Sequence, residues 1–145
     1  MTQEFSLIYP ANVKQDGDKF TVTFRDLVNV FTEGNTYEEA LFNAQEVLDI
    51  LLLDMAQDEM AIPEPSACKQ DEVPITVSPD VTAPILLNKL RLSRHCSMAD
   101  VARTMGVSYQ NYQQMESGKN MTLKSLKKAA AALGAVVEIR LHVPT

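Results

Sequence analysis

Hydrophobic and polar side chains alternate twice near the start of the chain. Phe5, Leu7 and Tyr9 are separated by Ser6 and Ile8, and Phe20, Val22 and Phe24 by Thr21 and Thr23. A period of two is the pattern of half-buried strands. Residues 12–19 connect the two runs and contain Asp16-Gly17, a dipeptide able to supply the positive φ of a hairpin turn. A third apolar run at 27–31 ends at Glu33-Gly34-Asn35, another turn signal, so the first thirty-five residues predict a three-stranded meander.

The period then changes. Thr36 and Glu39 have capping-box spacing, and Ala40, Leu41, Ala44, Val47, Leu48, Leu51, Leu52 and Met55 recur at intervals of three and four. This predicts a long helix whose apolar face covers the sheet and whose other side, with Glu38, Glu39, Glu46, Asp49, Asp54 and Asp58, is solvated. Pro63 and Pro65 end helical possibilities over residues 62–66. Residues 73–77, with Pro74 near their start, suit an edge strand. The result is a two-layer β-β-β-α-β module over residues 1–78, closed by Ser78-Pro79-Asp80.

From residue 79 to 145 the pattern is that of short helices on tight turns. Residues 81–92 read as a helix with Ile85, Leu86, Leu87, Leu90 and Leu92 and with Pro84 in its first turn. Ser97 and Asp100 form a second capping box that opens a helix through Met105, ended by Gly106. A helix from about 108 to 115 stops at Ser117-Gly118, and another begins at Thr122 or Leu123, turns Leu126, Ala129, Ala130 and Leu133 inward, and ends at Gly134. Finally Val137, Ile139, Leu141 and Val143 alternate with Glu138, Arg140 and His142, predicting a terminal β-strand with no obvious partner in a helical module. The fold class is therefore α+β, followed by an all-α domain with that strand.

Charge sharpens this division. The net charge of −6 over 145 residues argues against nucleic-acid binding, yet residues 1–78 sum to −11 and residues 79–145 to +5. Cys68 and Cys96 lack CxxC spacing and His95 and His142 lie far apart, so no disulfide, metal or cofactor is expected, and a reducing cytoplasm is the simplest setting. No apolar stretch approaches the ~20 residues of a membrane span, and no basic segment followed by an apolar run marks a leader.

The stretch from Met98 to Lys119, with Ala102 where two helices would cross and Gly106 at the turn, resembles the helix-turn-helix of the lambda-repressor and Cro class. The likeness extends over residues 82–134. It implies that the second helix enters the major groove of operator double-stranded DNA, where base pairs present distinct donor and acceptor patterns. By position Tyr109, Gln110, Asn111 and Gln114 would face bases, and Arg103, Lys119, Asn120 and Lys124 phosphates. Glutamine and asparagine can pair bidentately with adenine, while Tyr109 departs from a small polar residue and could pack on a thymine methyl or a sugar.

The acidic half, with Phe24-Arg25-Asp26-Leu27, Glu33-Gly34-Asn35-Thr36 and Ile62-Pro63-Glu64-Pro65-Ser66, resembles the HicB antitoxin domain, which has a truncated RNase H-like fold. It departs at Arg25, where a proline often precedes the aspartate. The resemblance implies an antitoxin for a small basic HicA-type mRNA-cleaving toxin, held through the 12–19 hairpin, the helix from Thr36 and the 62–66 loop. It also implies autorepression through the helix-turn-helix.

Catalysis is not expected. Asp16, Asp26, Glu38 and Glu46 could be read as nuclease ligands, but two-metal chemistry needs converging carboxylates, and these lie on turns or a solvated helix face. A stand-alone transcriptional regulator whose first module binds a ligand or only oligomerises is the other reading. The unpartnered last strand predicts a homodimer or higher oligomer in which two copies pair there; the alternative is a strand that caps its own domain.

Overall fold

A computed structural model describes residues 2–143, so Met1, Pro144 and Thr145 of the two expected modules lie outside the described residues. The chain separates into two compact units, Met1–Thr82 and Ala83–Thr145. Placing Asp80 with the first unit makes the charge split −12 and +6.

The first unit contains β1 (Ile8–Asp16), β2 (Lys19–Phe24), β3 (Phe31–Gly34), α1 (Tyr37–Gln57) and β4 (Val73–Thr76). The strands form one antiparallel sheet in the order β3-β2-β1-β4, with β4 at an edge where Pro74 faces Pro10 and neither residue has an N–H to donate. The second strand coincides with its alternating run, but the first starts later, at Ile8, and extends further than the alternation suggests. β1 runs through residues 12–16, part of the expected connection, because Ala11 pairs with Phe24 and Asp16 with Lys19, leaving a two-residue turn at Gly17 and Asp18. The third strand also differs from the apolar run at 27–31. Leu27 is buried beneath a bend, Val28 projects into solvent, and Asn29 has a positive φ of 64°, so the run is a connection and the strand begins only at Phe31.

Thr36 caps α1 by accepting the Glu39 N–H at 3.0 Å. Ala40, Ala44, Leu48 and Leu52 form its fully buried stripe, packed on a sheet face that contributes Leu7, Tyr9, Ala11, Val22, Phe24, Ile75 and Val77. Asp49 is not simply solvated: its carboxylate accepts the Ser78 N–H at 2.9 Å and the Ser78 hydroxyl at 2.5 Å. That pair anchors the residue from which the next helix starts.

α2 spans Pro79–Ser93, two residues earlier than its apolar pattern, and Pro84 is consequently the sixth helical residue rather than part of the first turn. A proline there removes one intrahelical bond. The second unit is completed by α3 (Met98–Met105), α4 (Tyr109–Glu116) and α5 (Leu123–Ala132). Leu87, Val101, Ala102, Tyr112, Met115, Ala129 and Leu133 make its core. Leu92 points to solvent instead, since Arg91 takes the buried position beside it. Residues 135–143 form no regular element: a strand requires a neighbour to bond, and the helical unit offers no sheet edge.

Candidate functional site

In the second unit, α3, the turn at Gly106 and α4 form a helix-turn-helix built by local capping. The Ser97 hydroxyl accepts the Asp100 N–H at 3.0 Å, and the Asp100 carboxylate accepts the Ser97 N–H at 3.2 Å. Hydrogen bonding from the Ser97 side chain, and then from the Ser97 backbone N–H, holds the Asp100 carboxyl below its ordinary range. Gly106 ends α3 at φ 73°, in the left-handed region that glycine enters without strain, and Ser108 caps α4 through the Asn111 N–H.

One side of α4 inserts Tyr112 and Met115 into the core, which aims Tyr109, Gln110, Asn111, Gln113 and Gln114 outward. All four residues expected to face bases are therefore exposed on one helix, and Gln113, absent from that expectation, stands among them. The phosphate candidates are dispersed. Arg103 lies on α3 in an exposed ion pair with Asp100 at 3.3 Å, Lys119 and Asn120 occupy the turn after α4, and Lys124 is in the first turn of α5. Two of them meet a base-facing residue: the Lys119 backbone N–H donates to the Gln114 carbonyl at 2.8 Å, and Asn120, at φ 55°, donates its side-chain amide to Gln114 Oε1 at 2.7 Å. That bond uses one of the two lone pairs of Gln114 Oε1 and leaves the other, with the amide N–H groups, to bond outward.

A buried ion pair holds the end of α4. Arg91 Nε donates to Glu116 Oε2 at 2.6 Å and its Nη2 to Glu116 Oε1 at 3.2 Å, while Asn88 Nδ2 donates to the same carboxylate at 2.9 Å. Arg91 Nη1 also donates to the Cys96 carbonyl at 2.9 Å, tying α2 to the start of α3. The Glu116 hydrogen bond raises the Arg91 pKa further. The Tyr112 hydroxyl is buried without a hydrogen-bond partner among the described residues; burial first, and then Glu116, pushes its titration upward, so it stays neutral. This network is not among the sequence-based expectations. Its signal was that Arg91 and Glu116 each continue a buried stripe, four residues after Leu87 and Tyr112.

In the first unit, residues 58–72 have no regular structure, yet the loop is tied down repeatedly. Tyr9 donates its hydroxyl to the Pro63 carbonyl at 2.6 Å, and burial, reinforced by the Glu64 and Asp26 charges, raises the Tyr9 pKa. The Asp26 carboxylate accepts the Ser66 N–H at 2.7 Å and the Ser66 hydroxyl at 2.6 Å. Arg25 donates to both Glu72 oxygens, at 2.8 and 3.1 Å, and to the Ala67 carbonyl at 2.8 Å. A residue at which the sequence departs from the usual motif is thus a clamp on the loop. Glu72, held by Arg25 and by the Lys69 N–H, has its pKa lowered to about 2. Among the described residues no group of three or more histidine, cysteine, aspartate or glutamate side chains could hold a metal ion, and no helix is long and apolar enough to cross a membrane.

A compact sheet-and-helix unit followed by a helix-turn-helix with an outward polar helix face places the chain in the helix-turn-helix class of DNA-binding proteins. Residues 8–85 match the family described as HicB_like antitoxin of bacterial toxin-antitoxin system, and residues 87–136 match the helix-turn-helix family. Over 132 residues the chain is 31% identical to Antitoxin HicB 2 of Photorhabdus laumondii, covering 90% of this chain and 94% of that protein. It is 29% identical over 129 residues to Antitoxin HicB 1 of the same organism, covering 87% and 81%. The chain belongs to the HicB-like antitoxin family and carries a helix-turn-helix DNA-binding domain.

Proposed function

We propose that residues 1–78 bind and neutralise a small basic HicA-type mRNA-cleaving toxin, and that residues 79–145 dimerise and repress the operon by binding its operator. The protein acts by binding in the cytoplasm, not by catalysis. The observation that carries the reading is the charge split: an acidic unit suited to a basic partner joined to a basic helix-turn-helix unit suited to a phosphate backbone. Tyr109, Gln110, Asn111 and Gln114 read bases, while Arg103, Lys119, Asn120 and Lys124 contact phosphates; Asn120 has the added task of orienting Gln114.

Co-expression with the neighbouring gene, followed by gel shifts on the shared promoter across salt concentrations, tests both halves. Gln110→Ala or Asn111→Ala should weaken operator binding by about tenfold or more while sparing non-specific binding. Lys119→Ala or Lys124→Ala should weaken all sequences alike and reduce the salt slope by about one. A chain that shifts the promoter but captures no toxin would instead be a stand-alone regulator.

A further inference from the structure

The outer face of α1 is more than a solvated acidic surface. Phe42, Ile50 and Leu53 are all exposed, at 59, 71 and 39%, opposite the Ala40, Ala44, Leu48 and Leu52 stripe that packs on the sheet. At 100° per residue they fall within an arc of about 80° and span roughly 16 Å along the helix axis. Glu39 and Glu46 lie in the same arc, with Glu38 and Asp54 on its flanks. None of these four acids enters an ion pair among the described residues, and α1 contains no lysine or arginine. Single exposed apolar residues are ordinary, but three on one stripe with unpaired charge of a single sign between them form an organised surface.

We infer that this stripe is the docking surface for a basic protein partner, with Phe42, Ile50 and Leu53 as apolar anchors and the four acids as a steering rim. The inference rests on the reading of the first unit as toxin-neutralising and names the face that would hold the toxin. Charge selects the occupant. A second copy of α1 laid against the stripe would bring Glu39 and Glu46 towards their own counterparts, whereas a cationic surface would pair with them.

The test uses the full chain, a catalytically silenced form of the basic toxin encoded beside it as the probe, and kinetic binding measurements at low and high salt. Phe42→Ser/Ile50→Ser should weaken binding at least about thirtyfold, chiefly through faster dissociation, with the oligomeric state of the free chain unchanged. Glu39→Gln/Glu46→Gln should slow association about tenfold at low salt and flatten its salt dependence. Should the double serine variant fail to fold by circular dichroism, Ile50→Ser alone carries the test. Toxin affinity within about threefold of the unaltered chain would overturn the inference and leave the antitoxin reading standing. Loss of self-association on serine substitution would assign the stripe to a second copy and also overturn it. Failure of the unaltered chain to bind would overturn both.

Discussion

Arg25 and Arg91 both make forked bonds to a carboxylate, but with different consequences. Arg91 and Glu116 are withdrawn from solvent and fix the last turn of α4 against α2, so the pair defines where the outward face of α4 points. Arg25 is partly exposed and restrains a loop. In Arg25→Ala, Glu72 should titrate well above about 2, approaching the ordinary 4.5 without reaching it because the Lys69 N–H still donates; carboxyl-carbon NMR shifts measure this. The backbone amides of Glu64 and of residues 66–72 should exchange faster in the same variant. The pH dependence follows from the sign. A lowered carboxyl pKa stabilises the folded loop above about pH 4.5, and that contribution disappears as the pH falls towards 2. An unaltered Glu72 titration in the variant would show that Arg25 is not the clamp.

Among the elements, two glycines that resemble each other in the sequence have unlike reasons to be there. Gly106 has a positive φ of 73° and open space where a Cβ would stand, so Gly106→Ala should cost only the left-handed penalty of about 1 kcal/mol. Gly34 closes β3 in ordinary extended backbone, but a Cβ there would lie 2.9 Å from the Glu39 carbonyl carbon and closer still to the Ala40 backbone. The first turn of α1 cannot retreat without leaving the sheet. Gly34→Ala should therefore destabilise the first unit by several times the cost at Gly106, on the order of 3 kcal/mol, as judged by denaturant midpoints. Equal costs would contradict this. As a turn signal Gly34 was visible in the sequence; its packing role required knowing that α1 crosses over it.

For the whole molecule, the segment from residue 136 onward is the part least accounted for by a single chain. Val136, Ile139, Leu141 and Val143 are exposed, Leu141 by 92%, in a segment with strand alternation and no ladder. Pairing with another copy would cover these residues and set two α4 helices about one DNA turn, ~34 Å, apart for a palindromic operator. Removal of residues 136–145 should leave a monomer in sedimentation and abolish cooperative operator binding; a truncated chain that still dimerises would refute the strand pairing. Much of this architecture was legible beforehand, because the β-β-β-α-β order, the α3 and α4 caps and the charge division depend on residues close together in sequence: Thr36 with Glu39, Ser97 with Asp100, Gly106 at its turn. The shift of β3 past its apolar run was not legible, nor were the Asp49–Ser78 anchor, the Arg25 clamp, the Arg91–Glu116 pair and the apolar stripe outside α1. Each joins residues far apart in the chain, or depends on which of two apolar faces the sheet covers. Local periodicity and capping determine which elements form; only packing determines which of their surfaces remain available to a partner.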